Sequence, residues 1–191
     1  MGIDYGSKMA GTTAVAHLSG GQVVFNASEK GRDADAMILA LAEELKPTLI
    51  AIDAPLSLPG VYTSQAGCTD YFYRDCDRLT KAMSPMFLGG LTARAMKLAA
   101  QLRVSGVEVI EAYPVKSGKE LGLKAFGYRE KQPDLKGLFD KFYSETGIDL
   151  REQTRLSGHH IDAAIALFIA RQYDLDRANQ LGNSSEGIIY Y

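Results

Sequence analysis

The chain contains no tryptophan and only two cysteines, Cys68 and Cys76, among its 191 residues. Two cysteines are too few for a disulfide framework or a four-cysteine zinc site, so we expect both to be free thiols. No apolar run approaches the roughly 18 residues needed to span a bilayer, and the start lacks a basic segment followed by an apolar one. We therefore expect a cytoplasmic protein with no membrane partner. The sequence does not fix the oligomeric state and is compatible with a dimer.

The chain also lacks a strong excess of either charge, because its formal net charge is −2. This balance argues against a strongly basic nucleic-acid-binding protein. The distribution is uneven. Residues 71–141 carry 13 Lys and Arg against 8 Asp and Glu, whereas the remainder carries 8 against 15. The middle of the chain could form a basic surface that faces an acidic site, or its charges could be scattered over solvated helices.

Apolar periodicity and turn residues predict one α/β domain over residues 1–191. Its element order is that of an RNase H-like fold, in which a mixed five-stranded sheet is flanked by helices. The sequence leaves open whether the C-terminal residues form a further strand. The expected strands cover residues 1–4, 12–18, 22–27, 49–53, 107–111 and, as the open case, 188–191, and the expected helices cover 34–45, 71–82, 91–104, 134–145 and 159–173.

Three carboxylates each stand at the end of an expected strand. Asp4 ends the first strand, Asp53 ends a continuous apolar run, and Glu111 ends the strand that begins at Val107. If these strands are neighbours and parallel, the three side chains emerge at one sheet edge, where open α/β sheets bind their ligands. A single acid at a strand end commonly serves a turn or a helix cap. Three in the same placement indicate a site.

A fourth acid, Asp162, lies on an expected helix and shares its face with Ile165, Ala166 and Ile169. An acid on an apolar face points into the protein, where an unpaired charge is costly. A divalent cation would relieve that cost, and the neighbouring alanines would let the helix approach the sheet closely. The alternative to a metal ligand is that Asp162 lies near the helix start because the positive end of the helix dipole favours an acid there. This alternative does not explain why Asp162 lies on the apolar face of the helix.

A cluster of carboxylates suits Mg²⁺ or Mn²⁺. Two such ions about 4 Å apart can activate water and stabilise the leaving oxygen of a phosphodiester. Three residues before Asp162, His159 could ligate metal, transfer a proton, donate an orienting hydrogen bond or simply be solvated. We expect His160 to point elsewhere and His17 to be structural.

Three basic residues are candidates for contact with a substrate phosphate. Lys8 follows Asp4 in a glycine-containing loop, and Arg74 and Arg78 share one face of an expected helix. The arginines would suit two-point contacts to phosphate if that helix borders the site. For all three the alternative is an ordinary solvated charge.

Five short motifs, taken together, resemble the DUF429 family of predicted nucleases. The resemblance implies an RNase H-like fold with a helical insertion at about residues 60–105. It also implies a metal site formed by Asp4, Asp53 and Asp162, with Glu111 as a further candidate. The motifs span nearly the whole chain in the family's order: Gly2-Ile3-Asp4-Tyr5-Gly6, Ile52-Asp53-Ala54-Pro55-Leu56, Arg74-Asp75-Cys76-Asp77-Arg78, Glu111-Ala112-Tyr113-Pro114 and His159-His160-Ile161-Asp162-Ala163-Ala164.

The leading hypothesis is a Mg²⁺- or Mn²⁺-dependent nuclease that acts on a nucleic acid or a nucleotide-containing substrate, with His159 assisting proton transfer. One alternative is a phosphotransferase or ATPase of the actin-like superfamily, in which Lys8 and the first glycine loop would cradle nucleotide phosphates. Another is a non-catalytic nucleic-acid-binding domain. One departure from the family pattern concerns the first strand, because only three residues precede Asp4. Either this strand is short or the true start of the protein lies upstream.

Overall fold

The computed structural model describes residues 1–153 and 156–191. A seven-stranded mixed sheet lies at its centre, with the strands in the order β3-β2-β1-β4-β5-β7-β6. The strands are β1 (Gly2–Asp4), β2 (Ala14–Ser19), β3 (Gln22–Ala27), β4 (Leu49–Asp53), β5 (Glu108–Ala112), β6 (Gln180–Asn183) and β7 (Gly187–Tyr190). The α-helices are α1 (Ala34–Leu45), α2 (Asp75–Thr80), α3 (Pro85–Leu88), α4 (Gly90–Val104), α5 (Pro114–Glu120), α6 (Leu135–Thr146) and α7 (Gly158–Asp174), with 3-10 helices at Gly60–Thr63 and Leu123–Phe126.

The predicted α/β class is confirmed, but the sheet has seven strands instead of five. The further C-terminal strand that the sequence left open is present as β7, and it pairs in parallel with β5. Its antiparallel partner β6 was missed because the strand is mostly polar and exposed, so no apolar alternation marks it. Ser184, Ser185 and Glu186 form the turn between the two strands of this hairpin.

The helix expected over 71–82 is also shorter than predicted, because α2 begins only at Asp75. The Asp70 carboxylate accepts hydrogen bonds from the backbone N–H groups of Phe72 and Tyr73, at 2.8 and 3.0 Å. These bonds hold a turn before the helix. Arg74 is extended and occupies the N-cap position.

The sheet separates two hydrophobic cores. One lies under α7, which runs across β1, β2 and β4, and the other packs Ile3, Ile52 and Val109 against α1 and α4. The fit of α7 requires glycine at position 2, since a Cβ there would lie 2.0 Å from the backbone N of Leu167. None of the described helices is long and apolar enough to cross a membrane.

Candidate metal centre

Asp4 and Asp53 stand side by side at the carboxyl ends of two neighbouring parallel strands. They pair in register across β1 and β4, so their side chains leave the same face of the sheet. That face is the one that α7 covers. Asp162 reaches it from the second turn of α7, and one oxygen from each of the three carboxylates lies within 4.8 Å of the others. The structure therefore brings together three of the four predicted acids.

The close approach of α7 to the sheet explains how Asp162 reaches the strand ends. The helix presents fully buried alanines at 163, 164 and 166. These small side chains let the helix axis lie near the sheet. The expected role of the alanines around Asp162 agrees with this packing.

Glu111 does not join the three acids, and the expectation that it completes the cluster is corrected. In β5 it pairs with Ile52, one residue before Asp53, and therefore points to the opposite face of the sheet. Its carboxylate accepts hydrogen bonds from both terminal nitrogens of Arg74, at 2.7 and 2.8 Å, and from the backbone N–H of Leu56, at 2.8 Å. Both oxygens of Glu111 are therefore occupied by hydrogen bonds, and the carboxylate is the ion-pair partner of the buried Arg74 guanidinium.

The prediction that Arg74 contacts a substrate phosphate is also wrong, because its side chain is buried. Its side chain is completely inaccessible, and besides Glu111 it contacts both oxygens of Asp77, at 2.6 and 3.0 Å. Two carboxylates thus satisfy one guanidinium, which makes its burial tolerable. The cluster ties α2 to β5 and so fixes the connection between β4 and β5 (residues 54–107).

Lys8 and Arg78, the other two predicted phosphate contacts, both pair with nearby acids. The ammonium group of Lys8 lies 2.9 Å from Asp33, the N-cap residue of α1. The Nε of Arg78 donates to Asp70 at 2.7 Å. Neither side chain is among the described residues that line the cavities at the acids. The nucleotide-cradle alternative placed Lys8 against the phosphates, whereas in the structure its ammonium group is paired with Asp33.

His159 lies directly against the cluster. Its Nδ1 is 2.6 Å from Oδ2 of Asp4, and half of its side chain remains exposed. His160 points away, as expected, with its Nδ1 2.8 Å from the Ser157 hydroxyl and its ring edge-on to Phe25. His159 is therefore the histidine that can exchange protons between the acids and solvent.

Tyr128 and Arg129 complete the surroundings of Asp162, and sequence reasoning missed both. The Tyr128 hydroxyl donates a hydrogen bond to Oδ1 of Asp162, and Nη1 of Arg129 lies 3.4 Å from Oδ2. They come from an irregular segment without apolar periodicity. In the structure the Tyr128 ring packs against Gly118, where a Cβ would lie 2.4 Å from the ring.

The three acids all have raised pKa values, chiefly because burial penalises their charged forms. The pKa of Asp4 is raised to about 6, with the charge of Asp162 adding to the effect of burial and His159 opposing it. The pKa of Asp53 lies well above its ordinary value because of burial and then the charges of Asp162 and Asp4. Burial also raises the pKa of Asp162, against the opposing effects of Arg129 and Tyr128.

These properties fit a hard divalent cation. The donors are all carboxylate oxygens, and they converge at a distance that one or two ions can bridge. Burial makes the charged forms of these carboxylates costly, and a bound cation would offset that cost. Asp4, Asp53 and Asp162 would hold the ion, and Mg²⁺ and Mn²⁺ match this donor set.

Two open cavities meet at the centre and give a substrate access to it. One, of about 660 Å³, is lined by Asp4 and Asp53 and by residues of the β4–β5 connection. The other, of about 600 Å³, is lined by Asp4, His159 and Asp162. Arg129 lines both, and its side chain is 49% exposed. It also has a left-handed backbone with φ of 67°, an uncommon conformation that is found at functional sites.

The arrangement combines a carboxylate triad, a histidine and an arginine at the mouth of a cleft. Such a set can bind a divalent cation, counter the charge of a phosphate and move a proton. Comparisons of the chain with protein-family models, with curated proteins and with solved structures give no match. Its function is therefore inferred from these residues.

Proposed function

We propose that this chain is a Mg²⁺- or Mn²⁺-dependent phosphodiester hydrolase that acts on nucleic acid. The observation that carries the proposal is the convergence of Asp4, Asp53 and Asp162 within 4.8 Å at the open end of two parallel strands. When bound there, the cation would supply a water of lowered pKa and a counter-charge for the phosphate. The other contributions come from the chain itself.

His159 is the proton-transfer group in this proposal. Its Nδ1 is held by Asp4, which orients the ring and leaves Nε2 as the nitrogen that exchanges a proton with the reacting water. The half exposure of the side chain lets that proton pass to solvent.

Tyr128 and Arg129 act on the two oxygens of Asp162. The hydroxyl of Tyr128 fixes the carboxylate in one orientation, which keeps it directed at the other two acids. Arg129 faces both cavities and is the cation best placed to contact the substrate phosphate. Its neighbour Asp162 compensates its charge until a phosphate arrives.

The order of the first five strands supports the RNase H-like fold within this proposal. An antiparallel meander, β1 to β3, continues into the parallel strands β4 and β5 on the other side of β1. The resemblance of the five motifs to the DUF429 family of predicted nucleases points to the same activity. Both expectations remain part of the proposal.

Cleavage assays with matched variants test the proposal. Labelled single-stranded DNA, single-stranded RNA, duplexes and a DNA–RNA hybrid are incubated with the protein and Mn²⁺ or Mg²⁺. We expect metal-dependent cleavage of at least one substrate and its loss in Asp53→Asn. Asp176→Asn is the control, because Asp176 is exposed and its φ of 55° suits asparagine. The proposal fails if no substrate is cleaved and Asp53→Asn binds Mn²⁺ as tightly as the unchanged protein.

A further inference from the structure

Three aromatic rings form an exposed group on the β4–β5 connection. Phe72, Tyr73 and Phe87, here called the aromatic face, have Phe87 in the middle. Its ring centroid lies 5.6 Å from that of Phe72 and 5.8 Å from that of Tyr73. Phe87 is 63% exposed and Phe72 is 53% exposed. Large apolar side chains grouped in this way at a surface mark a binding surface.

The aromatic face is continuous with the metal centre. Tyr73 and Phe87 line the same cavity of about 660 Å³ as Asp4 and Asp53. Lys81 and Arg129 line it as well. A ligand that fills this cavity therefore meets aromatic rings, two cations and the acids.

The backbone beneath the rings is fixed by hydrogen bonds. Asp70 accepts from the N–H groups of Phe72 and Tyr73, at 2.8 and 3.0 Å. The buried Ser84 hydroxyl donates to the Phe72 carbonyl and accepts from the Met86 N–H at 3.1 Å, which caps the helix that carries Phe87. The backbone that carries the rings is thus ordered before a ligand arrives, which lowers the entropic cost of binding.

A nucleotide with an unpaired base fits this combination of surfaces. Its planar base stacks on aromatic side chains, and its phosphate takes up cationic groups nearby. In a duplex the bases are stacked on one another and cannot reach the rings. An apolar peptide or a second copy of the chain would have to bury Lys81 and the acids against apolar surface, which is costly.

We propose that the aromatic face stacks the unpaired bases of a single-stranded nucleic acid and so directs its phosphate to the metal centre. This inference rests on the proposed hydrolase function, since it names the substrate of that same site. The whole chain has a net charge of −2, although residues 71–141 carry an excess of basic residues. We therefore expect stacking to add to local phosphate contacts in the binding energy.

Phe87→Trp provides a direct readout because the chain has no other tryptophan. In an Asp53→Asn background, emission from this tryptophan is followed while a single-stranded oligonucleotide is added. An abasic strand of equal length and charge is the control ligand. We expect quenching by the natural strand and none by the abasic strand.

Affinity measurements with labelled strands separate stacking from apolar contact. In the same background, Phe87→Ala and Phe87→Leu should each weaken binding by about tenfold, consistent with the loss of one stacked base. Tyr143→Ala is the matched control, because Tyr143 is an exposed aromatic residue on α6 that lies outside the cavity lining. It should bind as the parent does.

Three results would overturn the inference: equal affinity for natural and abasic strands, unchanged affinity in Phe87→Ala, or a Phe87→Ala protein that changes its oligomeric state without changing strand binding. The last would assign the face to a second copy of the chain. Failure of the proposed function is a separate result. Stacking without any Mn²⁺-dependent cleavage would reject the hydrolase, whereas cleavage that does not depend on Phe87 would reject only the aromatic face.

Discussion

The guanidinium of Arg74 holds both carboxylate oxygens of Glu111 in the protein interior, at 2.7 and 2.8 Å. This pair anchors the β4–β5 connection, which carries the aromatic face, to a strand of the central sheet. The same pairing withdraws Glu111 from the candidate metal centre, although Glu111 lies one residue before the end of β5, close to where Asp4 and Asp53 end their strands. The acid is thus part of the scaffold of the site.

Removing one member of this pair should destabilise the protein without weakening its metal binding. We expect Arg74→Ala to cost about 3–5 kcal/mol of unfolding free energy, because two buried carboxylates lose their cation. The milder Glu111→Gln should unfold at lower denaturant concentration yet bind Mn²⁺ with unchanged affinity. Denaturant titration and calorimetric Mn²⁺ titration check the two parts. A tenfold loss of Mn²⁺ affinity in a folded Glu111→Gln protein would show that Glu111 is a ligand.

The position of Glu111 also marks what the sequence could and could not predict. Parallel strand ends meet at one edge, so Asp4 and Asp53 were predictable partners, and the apolar face of α7 identified Asp162. Register within the sheet was not predictable. A shift of one residue turns a side chain to the opposite face, and the apolar run before Glu111 does not show which residue stands beside Asp53.

Two further features depended on tertiary contacts that the sequence does not display. Tyr128 and Arg129 lie in a segment without periodicity and reach Asp162 only because α7 folds against the sheet. The spacing of Arg74 and Arg78 is that of an ordinary solvated helix face. Only the presence of Asp77 and Glu111 explains why Arg74 is buried.

The metal-free protein should lose stability as the pH rises from about 4 to 6. The folded-state pKa of Asp4 is raised to about 6, whereas the unfolded chain has the ordinary value of 3.8. The folded state therefore binds the proton more tightly. Its contribution is complete below the unfolded pKa and is lost as the pH rises through about 6, at a cost of roughly 3 kcal/mol.

Thermal melts of Asp4→Asn in EDTA check this pH dependence. At pH 7.5 the variant should melt roughly 6–12 °C above the unchanged protein, because it carries no buried charge at position 4. At about pH 3 the two should melt together, since Asp4 is then protonated in both the folded and the unfolded chain. Equal differences at both pH values would contradict the assigned cause.

Tyr128→Phe should weaken metal binding while leaving the fold intact. The substitution removes the hydroxyl that orients Asp162 but keeps the buried ring. Loss of such an orienting hydrogen bond typically costs 10- to 100-fold in metal affinity. Mn²⁺ titrations of the Tyr128→Phe protein and of a Tyr143→Phe control check this loss of affinity. Tyr143 is an exposed tyrosine away from Asp162. Unchanged affinity in Tyr128→Phe would mean that Asp162 needs no orientation.

His159→Ala should slow cleavage by about 10²- to 10³-fold if the residue transfers a proton. Mn²⁺ affinity should stay within about threefold, because the three carboxylates remain. His160→Ala is the neighbouring control, since His160 points away from the acids and contacts Ser157 and Phe25. Single-turnover cleavage rates provide the comparison. Equal rates in the two variants would exclude His159 from the reaction.

The most direct test of the metal centre is anomalous diffraction from crystals soaked in Mn²⁺. We predict one or two Mn²⁺ peaks with oxygen ligands from Asp4, Asp53 and Asp162, while Glu111 remains paired with Arg74. The same soak of Asp53→Asn crystals should lose the peaks. Mn²⁺ peaks absent from the three carboxylates, or ligated by Glu111, would contradict the account.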